Sequence, residues 1–359
     1  MFFTALICML YTFNRWMKIQ FFHILFESYA DDTICHCSTE SGAKIMKEVI
    51  CRRFEECYLT LKRDKKKSYA VNTGNLRIHL SGSIIICGIV KNAEKGLKRN
   101  IPIINALCSR FDDFKIYIYE NDSCDDTKKL LKEWHDSNPN NVFVSVNNTD
   151  PVRTIPSAKE VGCFNPFYSS RRISKMVSLR NRYLEFIEEE KWIADYIMVV
   201  DLDVAALNLD AIMSSFASEN QWDAVTAFGY STSPKLSKRY HDTYALTEYG
   251  DQDNPQTEVK IKSLAEKYGK MINTDKWIRV FSAFGGLAIY KFEAIKGIRY
   301  QLLKNSDERV EVRCEHYSIY KQMSERGFNK VFINPAMVLK YQNLTCKIII
   351  NSIKRRLGI

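Results

Sequence analysis

Residues 84–90 read Ile-Ile-Ile-Cys-Gly-Ile-Val, a run with no polar side chain. A strand that wets one face alternates apolar and polar residues. A strand without alternation is buried on both faces and needs covering layers on each side of its sheet. The following pattern supplies them. Helical spacing runs over 93–108, a second apolar strand over 114–119, a helix over 127–135 and a third strand over 142–146. This β-α-β-α-β order predicts an α/β sheet with crossover helices. Residues 151–170 are irregular, with Pro151, Pro156, Gly162 and Pro166. The pattern then resumes with a helix over 171–189, strands at 196–200 and 223–228, and a helix at 258–272. An apolar glycine-containing stretch at 283–290, a helix at 315–323 and a last strand at 331–333, before Pro335, complete it.

Charge separates this core from its flanks. Residues 1–80 carry 12 basic and 8 acidic groups, and residues 335–359 carry 5 basic and none acidic. The stretch between holds 35 basic and 34 acidic groups, although the whole chain is +10. A nucleic-acid-binding domain would carry its basic excess within the fold, so no nucleic-acid partner is expected. The basic run 62–67 reads as a solvated linker, while the basic ends, with the tail Lys354-Arg355-Arg356, could touch an anionic membrane surface. The apolar run 1–13 is too short to span a bilayer, and its positive charges follow it rather than precede it. Eleven scattered cysteines without a CxxC pair favour reduced thiols. Cys35-His36-Cys37 lacks the second pair of a zinc finger. A cytoplasmic or membrane-peripheral location is therefore expected over a secretory lumen.

In an open α/β sheet, ligands bind at the carboxyl ends of the strands. Here those ends are rich in acids and amides: Lys91-Asn92-Ala93-Glu94, Glu120-Asn121-Asp122-Ser123 and Asp201-Leu202-Asp203. Neither GxGxxG nor GxxxxGK[ST] is present, which argues against a dinucleotide fold or a P-loop. Two carboxylates at i and i+2 past a buried strand can share a hard divalent cation and its diphosphate, or simply cap a turn. The helix over 171–189 holds a second signal. Its apolar face runs through Ile173, Met176, Val177, Tyr183, Leu184 and Ile187, and Arg180 falls on that face. A buried anion would satisfy it; snorkelling to the surface is the alternative.

Taken together, residues 83–340 resemble the GT-A class of nucleotide-sugar glycosyltransferases. Ile89-Val90-Lys91-Asn92-Ala93-Glu94 is similar to the first-strand motif of family-2-like enzymes. Tyr119 to Thr127 resembles their DDGSxDGT turn, Leu179-Arg180-Asn181 their xRN helix, and Asp201-Leu202-Asp203 their DxD motif. Tyr240-His241-Asp242-Thr243-Tyr244-Ala245-Leu246 looks like the YDxxAL segment of fungal capsule α-mannosyltransferases. Phe284 to Tyr290 fits the glycine loop beside the donor sugar, and Cys314-Glu315-His316 the position of an acid pair. Two positions depart from the pattern. His316 stands where an Asp is usual, and Lys340-Tyr341 occupies the region of a late metal-binding histidine.

The resemblance implies a GT-A, Rossmann-like fold: a mixed, mostly parallel sheet flanked by helices, spanning residues 81–345. A basic, partly helical N-terminal extension at 1–80 and a basic tail at 346–359 would flank it. It implies a nucleotide-sugar donor, a glycan or glycoconjugate acceptor, and Mn2+ or Mg2+ held by Asp201 and Asp203. Asn92, Glu120, Asn121, Arg180, Asn181, Asp201, Tyr244, Trp277, Gly285 and Gly286 become candidate substrate contacts. Glu315, Asp242 and His316 are candidate catalytic groups. Resemblance to capsule enzymes points to a retaining reaction and resemblance to family-2 enzymes to an inverting one. A non-catalytic sugar- or partner-binding relative with the same fold is the alternative.

Overall fold

A computed structural model describes residues 26–29, 32–35, 80–147, 165–216, 218, 221–232, 238–272, 274 and 276–341. The chain divides into two compact units, Met1–Ile78 and His79–Ile359. In the first, β1 (Phe26–Tyr29) and β2 (Asp32–Cys35) form an antiparallel hairpin with Phe26 opposite Cys35. The run 62–67, the tail 346–359 and the side chains of Cys35-His36-Cys37 lie outside the described residues.

The second unit is built on a ten-stranded sheet. Its strands are β3 (Leu80–Val90), β4 (Phe111–Asn121), β5 (Val142–Asn147), β6 (Tyr196–Val200), β7 (Ala224–Thr232), β8 (Lys238–Tyr240), β9 (Thr247–Glu248), β10 (Ile278–Ser282), β11 (Leu287–Lys291) and β12 (Val331–Lys340). Their order is β5-β4-β3-β6-β11-β7-β12-β10-β9, with β8 also on β7. β5, β4, β3 and β6 are mutually parallel; β11 runs antiparallel to β6 and β7, and β12 parallel to β7. With β9 included, seven of the ten strands point the same way. This is the mixed, mostly parallel sheet expected.

The unalternating run explains the layers. Ile85 and Cys87 of β3 enter one core, and Ile84 and Ile86 enter another on the opposite face. Helices α3 (Ser170–Glu189), α5 (Glu258–Gly269) and α7 (Glu315–Glu325) cover the first face through residues such as Tyr183, Ile261 and Ile319. Helices α1 (Glu94–Cys108), α2 (Thr127–Ser137) and α4 (Leu209–Phe216) cover the second through Leu97, Leu131 and Ile212. The short α6 (Phe292–Ile295) follows β11 directly.

Several elements differ from the sequence reading. The last strand continues through Pro335 to Lys340, because a register irregularity between Asn334 and Val338 absorbs the proline. Helix α4 and strand β10 are too short to show a period. Glu258–Gly269 ends one turn before the expected boundary, at its glycine.

Candidate active site

β6 ends at Val200, and the chain turns through Asp201-Leu202-Asp203. Three contacts set this turn. The Asp201 N–H donates to the Gly286 carbonyl at 2.9 Å. Asn100, wholly buried in α1, donates its amide to the Leu202 and Val204 carbonyls at 2.9 and 3.0 Å. One turn earlier a Cβ on Gly96 would lie 2.4 Å from the Leu202 carbonyl oxygen, so only glycine lets α1 rest on the turn. Asn100 escaped the sequence reading; its signal is an amide on the buried face of a helix.

The two acids are not equivalent. Asp201 accepts a hydrogen bond from the Tyr341 hydroxyl at 2.9 Å and lies 3.7 Å from Arg180 Nη2. Burial lifts its carboxyl to about 6, with Arg180 and Tyr341 opposing and Asp203 adding. Asp203 is exposed towards a cleft of about 1190 Å³ that both acids line. The protein crowded around Asp203 raises its carboxyl too. Tyr341 stands in the region where the resemblance expected a histidine. Its ring stacks on His241, with centroids 3.6 Å apart.

Arg180 meets a buried anion rather than snorkelling. Its Nε donates to Glu315 Oε1 at 3.0 Å, and its guanidinium sits 4.9 Å over the Phe284 ring. Nη1 has no partner among the described residues. Glu315 opens α7, where a carboxylate also meets the positive end of the helix dipole. Burial alone would raise the Glu315 carboxyl; the charged groups around it, Arg180 among them, outweigh burial and hold it at about 2. For His316, burial is the largest influence and Arg180 adds to it, pushing the ring well below its ordinary range. The arrangement is therefore a charged Arg180, an ionised Glu315 and a neutral His316. The His316 ring lies against Phe284 at 3.9 Å, and neither of its nitrogens has a hydrogen-bond partner among the described residues.

Asp242 follows β8 in a left-handed conformation, φ +63°, and lines the same cleft. Burial, reinforced by Glu315 and Asp201, pushes its carboxyl up to about 7. A non-glycine residue in that conformation is uncommon and strained, and such residues cluster at functional sites.

At the β3 and β4 ends the polar cluster mainly ties two turns together. The Asn92 N–H donates to Ser123 Oγ, and the Asn92 side-chain oxygen accepts from Cys124 N, both at 2.8 Å. Glu120 Oε1 accepts from Ser123 N at 2.5 Å. What stays free is Glu120 Oε2 and the Asn121 side-chain oxygen, neither with a partner among the described residues. Of these two residues, Asn121 lines the cleft.

Several expected contacts have other duties. Asn92 is occupied by the turn it locks. Asn181 exchanges two hydrogen bonds with the Tyr300 backbone, at 3.0 and 2.8 Å, because it faces the core and not the cleft. Gly285 and Gly286 have φ of +63° and +92°. A Cβ on Gly285 would lie 2.3 Å from the Ala227 carbonyl, so that glycine serves close packing on β7. Trp277 is placed away from the cleft, packed on Phe332 at 6.0 Å in the core beneath the other face. Tyr244 lines the cleft, but its hydroxyl is spent on the Val312 carbonyl at 2.6 Å.

The site thus assembles Asn121, Arg180, Asp201, Asp203, Asp242, Tyr244, Glu315 and His316 around one cleft. Comparison with known proteins supplies the family. The solved mannosyltransferase PcManGT from Pyrobaculum calidifontis, in complex with GDP-Man and Mn2+, aligns with TM-score 0.39 and 11% identity. The alignment covers 84% of this chain and 64% of that one, so this chain spans less than two thirds of its length. Glucosyl-3-phosphoglycerate synthase from Mycobacterium tuberculosis, bound to phosphoglyceric acid, aligns with TM-score 0.36 and 12% identity, covering 77% of this chain and 81% of that one. S. aureus TarS 1–349 gives TM-score 0.36 and 11% identity over 77% and 72%. No curated protein sequence matches the chain. The profile of the family described as Cryptococcal mannosyltransferase 1 matches residues 84–321, from the first buried strand into α7. This chain belongs to the Cryptococcal mannosyltransferase 1 family of glycosyltransferases.

Proposed function

We propose that the cleft binds a nucleotide-sugar donor together with Mn2+ or Mg2+, and that it passes a hexosyl group, mannosyl by family, to a hydroxyl of a glycan or glycoconjugate. The observation that carries this reading is the Asp201–Asp203 turn, braced by Asn100 and opening on a cleft backed by Arg180 and Glu315. The donor set suits such an ion. Among the described residues no group of three or more His, Cys, Asp or Glu could form a closed protein cage. Two carboxylates, one of them exposed, suit a hard cation that takes its remaining ligands from substrate phosphates and water. When bound, the ion would neutralise charge developing on the leaving diphosphate.

The chain's own groups divide the remaining work. Asp203 presents the open carboxylate, and Asp201 is aimed by Tyr341 and Arg180. Arg180 puts a fixed positive charge behind them, with its buried Nη1 unpartnered among the described residues. Asn121 lines the cleft, and its buried side-chain oxygen has no partner among the described residues. Asp242, with its carboxyl near 7, is the group suited to take a proton from the acceptor hydroxyl. Glu315 is held too acidic for that and positions Arg180 instead. His316, neutral and stacked on Phe284, forms part of the wall.

A thermal-shift panel of GDP- and UDP-sugars, with and without Mn2+, tests the reading. A preferred donor should raise the unfolding temperature only when metal is present, because binding to the folded state alone stabilises it by mass action. A panel without any shift would favour the non-catalytic alternative. Membrane contact through the basic ends stays part of the proposal. Among the described residues, no helix is long and apolar enough to cross a bilayer.

A further inference from the structure

The half of the cleft away from Asp201 and Asp203 is cationic. Lys238 and Arg239 of β8, Lys262 of α5 and Lys270 just past it line the cleft there, with Glu266 the acid among them, and Arg172 of α3 lines it within electrostatic reach of Glu315 and Asp242. Topology brings them together. One edge of β7 pairs with β12; the other pairs with β11 through Ala224–Thr226 and then with β8 through Tyr230–Thr232. β8 therefore continues the lane of β11, about 13 Å further along at roughly 3.3 Å per residue. That places it beyond the level of Gly286, whose carbonyl holds Asp201. Helix α5 packs on β8 through Tyr268 and Tyr240, with ring centroids 5.8 Å apart.

These cations are weakly engaged. Lys262 is 72% exposed and 3.4 Å from Glu258, and Arg239 Nε donates to Ser231 Oγ at 3.2 Å. Lys238 lies 5.0 Å over the Tyr230 ring. Arg172 stacks 4.0 Å over Phe167 and donates Nη1 to the Phe167 carbonyl at 3.2 Å, while its buried Nε has no partner among the described residues. Phe167 is 40% exposed and lines the cleft beside it.

We infer that the acceptor is an anionic glycan, one whose carboxylate or phosphate reaches Lys238, Arg239, Lys262 and Lys270 while a sugar face lies on Phe167. This rests on the sugar-transfer reading, in which the donor fills the Asp201 end and leaves this half to the acceptor. An exposed ring beside cations suits a sugar bearing an acid.

The test is direct binding by the full-length chain, without donor or metal, of tetragalacturonate, mannose 6-phosphate and uncharged mannotetraose in 50 and 200 mM NaCl. At least one charged sugar should bind tenfold or more tighter than the neutral one and weaken as salt rises. Which of the two binds separates carboxylate from phosphate. Lys262→Glu with Lys270→Glu, both at exposed positions, should cost at least tenfold in that affinity with the circular dichroism spectrum unchanged. Equal affinity for charged and neutral sugars, or an unaffected double variant, overturns the inference. Binding to phosphatidylserine vesicles but to none of the sugars overturns it in favour of a membrane. Because no donor is present, failure here is separate from failure of the donor and Mn2+ panel.

Discussion

Arg180→Met removes a buried charge and leaves its partner in place. Glu315 is held at about 2 against an ordinary value of 4.5. Arg180 is one of the charges that hold it there, so its removal takes away part of that stabilisation of the native state. The folded value is depressed, so the contribution is complete above pH 4.5 and lost as pH falls through 2. In the variant, burial acts on Glu315 without the guanidinium and raises it, as it raises Asp201. Charged Glu315 at neutral pH then adds a penalty, and breaking a buried pair from one side costs about 3–5 kcal/mol. Urea unfolding should show that deficit at pH 7.5 and a smaller one at pH 5, where the orphaned carboxyls can take protons. Adding Glu315→Gln to the variant should recover about 1–3 kcal/mol at pH 7.5 as a coupling energy. A deficit equal at both pH values, with strictly additive double-variant energies, would refute the ion-pair reasoning.

Other outcomes follow from the same geometry. Asp203→Asn, at an exposed position, should change stability by no more than about 0.5 kcal/mol, while Mn2+-dependent hydrolysis of the preferred donor disappears in a turnover assay. Tyr341→Phe removes the hydrogen bond to Asp201; stability should fall by about 1–3 kcal/mol, and Mn2+ affinity, read by calorimetry, should change with it. Gly285→Ala puts a Cβ 2.3 Å from the Ala227 carbonyl at φ +63°, so chemical unfolding should show a loss above about 2 kcal/mol. The Asp242 carboxyl is raised to about 7. As the proton acceptor it should make kcat/KM rise through that pH, and Asp242→Asn should abolish the rise. A raised acid stabilises the native state below its unfolded value, and that contribution is lost as pH climbs through 7. The same substitution should therefore flatten the decline in stability between pH 5 and 8.

The layers of the fold were legible because buried periodicity is a local property. Ile84 to Val90 could only be a doubly buried strand, and Arg180 declared itself by breaking an apolar stripe. The strand-end acids were equally visible, since an α/β sheet puts its ligands there. What the residues alone could not assign was which polar groups the protein would spend on itself. Asn92, Asn181 and Tyr244 looked like ligand contacts, and each has a hydrogen-bond partner in the fold. Conversely, His241, Tyr341 and Asn100 gave little local signal. They act through partners such as Asp201 and the Leu202 carbonyl, far away in sequence.

The sequence by itself determined the sandwich of helices about a mostly parallel sheet, the acidic end of β6 and an arginine on an apolar helix face that must either meet an anion or snorkel. Only the tertiary structure decided that Glu315 is that anion, that His316 stays neutral, that Asp242 is the acid lifted towards neutrality, and that β8 and α5 line the opposite half of the cleft with positive charge. Burial and periodicity act between neighbours along the chain. Ionisation and charge complementarity depend on distances that exist only once the chain has folded.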